Sequence, residues 1–462
     1  MRDILNSIIG EASGWLELRA HDRRQLQILV RKGDLETAAF RKTRGVGVRV
    51  LVDGTWGFSS TAQIDREGIL AAVRDATVSA ERSSGGRSTR IERLQECTLA
   101  VGDFKSGDAE EIASHSTEEK TALVVDSERA TREASPSIRS ATCRYTEIID
   151  EKWIVSTDGA DAHIEDAKLE FLTLAVAGRD DEMTTGREGS GVTGGWGDLF
   201  GRQSPGEMAE RSARVAVDLL DAPYPPGGSA TVILDPELVG LLAHEAIGHT
   251  VEADFILSGS AASGKIGKRV ASDLVTLVDS GPAVIGGSSP AGIVLVDDEG
   301  VPAQRTVIID QGVMKSYLHD RETAARFDVP PTGNARAWLY EDEPLIRMRN
   351  TYLEPGESSF DEMVASIGDG FLLKGSDSGQ ADANAEFMFG VREAYEIKDG
   401  KVGRLLRGVT ISGDAFEVLK SIDMTSTDFR WGIGTGHCGK GQPAKVDGGG
   451  PFVRCRVVVG GR

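Results

Sequence analysis

The stretch HEAIGHTVEADF, residues 244 to 255, carries two imidazoles and an intervening carboxylate, His244, Glu245 and His249. Two imidazoles can hold a metal ion, and a glutamate directly after the first histidine can act as general base on a water at that metal. The usual H-E-x-x-H spacing puts the second histidine four residues on; here it comes five residues on. At about 100° per residue, positions i and i+5 of a regular α-helix diverge by about 140°, so the two rings would not share an ion. One π-type turn, with i to i+5 hydrogen bonding, returns them to one face. Gly248, just before His249, is where the backbone is most cheaply distorted. A metal site therefore requires a specific local distortion; the alternative is a pair of histidines on a packed helix.

A catalytic zinc needs a third protein ligand and an open position. Glu252 and Asp254 follow closely, although acids at a helix end usually cap or face solvent. Cys438, in GTGHCGKGQP, is the other candidate: glycines on both sides let a thiolate approach a metal, and a His₂Cys set suits zinc. His437 is adjacent but would point elsewhere in an extended segment. A free thiol in a glycine-rich turn remains the alternative.

The element that must present the histidines starts at Asp235-Pro236, an N-cap followed by proline at the first helical position. Leu238, Leu241 and Leu242 give it one apolar face. Around it the chain divides into three segments by composition. Residues 1–90 hold β-rich runs, LQILVRKGDLETAAFRK and GVGVRVLVDGTWGFSS, with Asp53-Gly54 as a tight hairpin turn. Asp65 then caps a helix that leads into the polar linker ERSSGGRSTR. Residues 95–222 combine a helix near STEEKTALVVDSERATREA with extended runs about the turn Asp158-Gly159. The Gly/Thr-rich TTGREGSGVTGGWG interrupts them, and APYPPGG reads as a boundary. Residues 228–462 contain the helix and many β-type runs, among them GIVLVDD and VMKSYLHD. The expected fold class is α+β: two α/β segments with antiparallel strands, then a large β-rich carboxy-terminal domain carrying the metal-binding helix.

At 462 residues the chain can build several cores. Its 72 acidic against 52 basic side chains leave a net charge of −20, a field that repels phosphate backbones and disfavours nucleic acid as ligand. Four scattered cysteines are not a disulfide framework and fit a reducing compartment. No stretch approaches the ~20 apolar residues of a membrane span, and the amino terminus has no apolar core or cleavage pattern of a leader. Cytoplasm is the expected location.

Beyond single motifs, LLAHEAIGHTVEADF resembles the metal-binding motif of the TldD subunit in the TldD/PmbA (TldD/TldE) family of zinc metalloproteases. DDEGVPAQRTVIIDQGVMKSYLHDRETA, TGNARAW, PLIRMRNTYLEPG, DGFLLKGSDSGQ, LLRGVTISGDAFEVL and HCGKGQP resemble family blocks in order, as does GVGVRVLVDGTWGFSS near the amino terminus. Two departures bear on loop shape. Gly441 follows Lys440 directly, where the family block has one more residue, and DSGQ replaces a double-glycine form.

The resemblance implies zinc ligands His244, His249 and Cys438 in an HExxxH site, with Glu245 as general base of a zinc-dependent metallopeptidase. It also implies unfolded or flexible peptide substrates held as an added strand, and a homodimer or a heterodimer with a TldE/PmbA-like subunit lacking the motif. Lys440, Arg336 and Asn334 are candidate oxyanion donors. A non-catalytic peptide-binding or regulatory subunit, in keeping with the family's old gyrase-modulator label, is the alternative function.

Overall fold

A computed structural model describes residues 1–85 and 90–461. The first two segments contribute to one sheet. Its long strands are β1 (Trp15–Arg31), β2 (Asp34–Val52), β3 (Thr55–Thr61), β4 (Val101–Ser106), β5 (Ile138–Ser156), β6 (Asp161–Arg179) and β7 (Glu182–Thr193), in the order β3-β2-β1-β5-β6-β4, with β7 also on β6. All neighbours are antiparallel except β4 on β6. Asp53 and Gly54, both at positive φ, make the β2–β3 hairpin, as turn chemistry of this kind requires. Helices Arg66–Ser84, capped by Asp65, and Thr117–Glu133, with a Ser116/Glu119 capping box, cover its apolar positions. Of the polar linker ERSSGGRSTR, Glu81 to Ser84 continue the helix, and residues 86–89 lie outside the described residues.

The Gly/Thr-rich stretch from Thr184 does not interrupt the strands. It forms most of β7, paired with β6 through Thr193. Its glycines serve close approach: a Cβ at Gly186 would strike the carbonyl of Ser212 in helix Pro205–Asp218, and one at Gly191 the backbone of Gly434. Strand pairing here beats weak strand propensity because only glycine leaves that space.

In the carboxy-terminal part, β8 (Gly228–Leu234) joins strands Asp369–Ala381, Val453–Gly460, Val409–Asp414 and Glu386–Lys398, and pairing between Asp369–Ala381 and Glu386–Lys398 closes these five into a ring. A further sheet runs through Leu277–Ser280, Asn350–Leu353 and Asp447–Gly450. The helix that starts at Asp235 packs against both sheets, inside the largest hydrophobic core. The run GIVLVDD is no strand. Its amides form no ladder: Gly292 N–H donates to Asn350 Oδ1 and Ile293 N–H to Thr193 Oγ1, while those of Val294 and Asp298 go to the carbonyls of Gly281 and Ala335, so its apolar pattern reports burial. Of VMKSYLHD only Val313–Met314 is strand.

Buried ionic contacts lock the first sheet to the carboxy-terminal part. Arg49 Nη2 donates to Glu17 Oε2 at 3.0 Å and to Glu299 Oε1 at 2.8 Å. Lys152 reaches Asp298 at 2.8 Å, and Lys445 reaches Glu170 at 2.7 Å. Removing one member of such a set strands the others without a counter-charge. Arg49→Met is therefore expected to destabilise the protein by about 3–5 kcal/mol in urea unfolding. The same change at half-exposed Arg44, paired with Asp22, should cost less than about 1 kcal/mol.

Candidate metal centre

Asp235 caps the helix by accepting from Leu238 N–H at 3.0 Å, with Pro236 in the first turn. Pro236–Leu241 is α-helical; from Leu242 to Gly248 the chain is a π-helix, closed by the amide of His249 donating to the carbonyl of His244. That is the i to i+5 turn demanded by the late histidine. It sets the two imidazoles edge to face, ring centroids 5.3 Å apart at 81°.

Gly248 has a different task from the one its flexibility suggests. Its φ of −56° and ψ of −47° are ordinary helical values. A Cβ there would collide with the sulfur of Met348. The glycine is needed for space, not for an unusual backbone.

Cys438 reaches the histidines from a short hairpin in which His437–Gly439 pairs with Pro443–Lys445, register Cys438 to Ala444. Gly441, at φ +73°, makes the turn, so the departure at this position closes a tight loop. Two buried groups clamp the hairpin. Arg347 donates to the carbonyls of Cys438 at 2.6 Å and Gln442 at 2.8 Å. Glu170, on β6, takes Lys445 and lies 3.4 Å from His437 Nε2.

Ligand atoms of His244, His249 and Cys438 all lie within 4.8 Å of one another, and Cys438 Sγ is 3.2 Å from His249 Nε2. His244 is 2% exposed, yet neither ring nitrogen has a hydrogen-bond partner. A buried imidazole in that condition is costly unless something else takes its lone pair. Two imidazoles and a sulfur at these separations fit a zinc ion. Glu245 is half-exposed, its Oε2 3.8 Å from His249 Nε2.

Glu252, a candidate ligand by sequence, is fully buried on the other side of His249. Its Oε2 lies 3.3 Å from Nδ1, leaving Nε2 to face the sulfur. This is the carboxylate–histidine relation that fixes ring orientation in metal sites. Lys440 donates to Glu252, Asp254 and the Ile346 carbonyl at 2.9, 2.9 and 3.0 Å. Asn334 donates to Asp279 and the Arg347 carbonyl, and Arg336 to the carbonyls of Met348 and Lys445. These contacts engage Lys440, Asn334 and Arg336 in supporting the site. Arg347 and Glu170 escaped sequence reasoning, and nothing local marks them: their partners are backbone carbonyls and side chains distant in sequence.

Burial alone would raise the thiol of Cys438, but the nearby imidazoles of His244 and His249, the latter with Nε2 3.2 Å from the sulfur, hold it down to about 4. Burial likewise opposes charge on His249, and its hydrogen bonds to Cys438 and Glu252 hold it up at about 10. The other three cysteines are raised by burial. In metal-stripped protein, ultraviolet thiolate absorbance should persist at neutral pH and vanish as pH falls through about 4; Cys438→Ser should abolish it. Gly248→Ala should displace Met348, cost about 1–3 kcal/mol in thermal unfolding, and lower zinc content by metal analysis.

Family profiles match most of the chain. Profiles described as PmbA/TldA metallopeptidase domain 1, central domain and C-terminal domain match residues 16–80, 110–220 and 227–461. A metalloprotease of Methanothermobacter thermautotrophicus is 34% identical over 99% of both chains. A zinc metalloprotease TldD homolog of Saccharolobus solfataricus is 31% identical over 90% of both. Among solved structures, a putative modulator of a DNA gyrase from Thermotoga maritima superposes with TM-score 0.78 at 21% identity, covering 99% of both chains. TldE from Thermococcus kodakarensis gives 0.77 at 18% identity, again over 99% of both; at such identities the likeness is one of fold. The chain belongs to the PmbA/TldD metallopeptidase family.

Proposed function

We propose that the protein is a zinc-dependent peptidase in which His244, His249 and Cys438 are the metal ligands and Glu245 is the general base. The convergence of these three donors, with both nitrogens of buried His244 otherwise unpartnered, is the observation that carries this reading. Bound there, zinc supplies Lewis acidity, activating a water and polarising the scissile carbonyl. Glu245, half-exposed beside the donors, accepts the proton of the attacking water and passes it to the leaving amine. Glu252 and Lys440 hold His249 in orientation, and Arg347 holds the Cys438 hairpin. A donor set complete within one chain, with a carboxylate at its rim, favours catalysis over peptide capture alone.

The proposed substrates are unfolded or flexible peptides, read through their main chain. The proposed assembly is a homodimer or a heterodimer with a TldE-like chain; the fold shared with TldE of T. kodakarensis supports such pairing. Four free cysteines support a cytoplasmic location. No described helix is long and apolar enough to cross a membrane, and the net charge of −20 speaks against nucleic acid.

Glu245→Gln should lower peptide cleavage by about 10²–10⁴-fold with zinc content and unfolding midpoint retained. Full cleavage by that variant would exclude the assigned role. Cys438→Ala should lose zinc, and with it cleavage, as followed by metal analysis and a peptide-digestion assay with and without a TldE-like partner.

A further inference from the structure

Between the first sheet and the carboxy-terminal part lies a cavity of about 60 Å³, room for a few waters or one small polar group. Its wall includes Pro443 to Lys445. Ala444 pairs with Cys438, so the cavity adjoins the strand neighbouring the sulfur ligand, at a strand spacing of about 4.8 Å. Trp338, also in the wall, meets the ring of His437 edge to face at 5.6 Å.

Five lining side chains are cationic and three are carboxylates. Every carboxylate already has a partner. Asp150 is gripped by Arg23 through Nε and Nη2, each at 2.7 Å; Asp166 pairs with Lys168, and Asp298 with Lys152. Lys445 is answered from outside the wall by Glu170. Arg19, also outside the wall, lies 3.7 Å from Asp298, so positive charge is in excess around the cavity; within the wall Arg336 has no carboxylate partner, its acceptors being the carbonyls of Met348 and Lys445. A guanidinium has five N–H donors, so some remain. Burial and the neighbouring Arg347 hold Arg336 down to about 10, still cationic at neutral pH.

Arg23 supplies an independent observation. Its side chain is 7% exposed and lies 3.8 Å over the Trp338 ring, and its remaining nitrogen, Nη1, is buried without any acceptor. Native structures rarely leave a charged donor in that state. Excess positive charge, free guanidinium donors and little space match a small planar anion, which a carboxylate is.

We propose that this cavity is a carboxylate subsite that receives the C-terminal carboxylate of a peptide lying at the metal centre, with Arg23 and Arg336 as its donors. The proposal rests on the peptidase reading for its choice of ligand. It makes the free end of a substrate, rather than its side chains, the feature that fixes register against Cys438 and Glu245.

The test is calorimetric titration of zinc-loaded Glu245→Gln protein with pentaalanine as free acid, with its C-terminal amide, and with acetate. The acid should bind about tenfold tighter than the amide or better, as expected for a charge-assisted pair. Arg23→Gln should bring the two to the same affinity with zinc content unchanged. Equal binding of acid and amide to the protein with Arg23 intact overturns the proposal, and that comparison needs no substitution at the cavity should Arg23→Gln fail to fold. Acetate binding that Arg23→Gln removes, with acid and amide alike, assigns the cavity to a free small carboxylate and overturns the peptide assignment. An acid preference in a protein that never cleaves peptide supports the subsite and defeats the peptidase reading instead.

Discussion

The hydrogen bond from the His249 amide to the His244 carbonyl is the interaction on which the centre depends. A helix of ordinary pitch would turn the second imidazole away from the first by about 140°. The single wide turn brings both rings to one side and leaves the glutamate between them beside the site. A π turn has poorer backbone geometry than the α-helix it replaces and persists only where surroundings hold it. Here they do: Leu242, Ala243, Ala246 and Ile247 are buried on the largest core, and Met348 fills the space that a side chain on Gly248 would need.

The sulfur of Cys438 is held by another kind of constraint. Its hairpin has little apolar surface of its own, so it is fixed by buried polar contacts: Arg347 on its carbonyls, Glu170 on its lysine, and Lys440 tied back to Glu252 and Asp254. Glu252 links these contacts to the helix, because the carboxylate that orients His249 also anchors the lysine two residues past Cys438. The hairpin and the helix are thus coupled through one buried carboxylate. Contacts of this type are geometry-sensitive and costly to break singly. The first sheet belongs to the same arrangement, since Glu170 comes from β6.

Much of this was legible locally. Asp235-Pro236 and Asp65 cap helices because their side chains satisfy amides within three residues, a relation that any neighbouring sequence can state. Asp53-Gly54 turns a hairpin for a similarly local reason. The runs GIVLVDD and TTGREGSGVTGGWG defeated local reading in opposite directions. GIVLVDD has the pattern of a strand, yet partners distant in sequence consume its amides. TTGREGSGVTGGWG has the composition of a loop, yet its glycines exist to admit a helix and a turn from elsewhere in the chain.

The sequence by itself determined the donor types, the irregular spacing that demands a wide turn, and the ordered blocks that carry the family likeness. These are properties of residue identity and of helix geometry, which do not depend on the rest of the molecule. Tertiary structure alone decided that Glu252 orients rather than adjoins the sulfur, that Gly248 serves Met348, and that Arg347 and Glu170 hold the hairpin. It also decided that Arg23 and Arg336 enclose a cavity beside it. Those assignments depend on which chemically adequate partner lies within contact distance, and for the hairpin that is set by packing between segments far apart in sequence, Arg347 with Cys438 across 91 residues and Glu170 with Lys445 across 275.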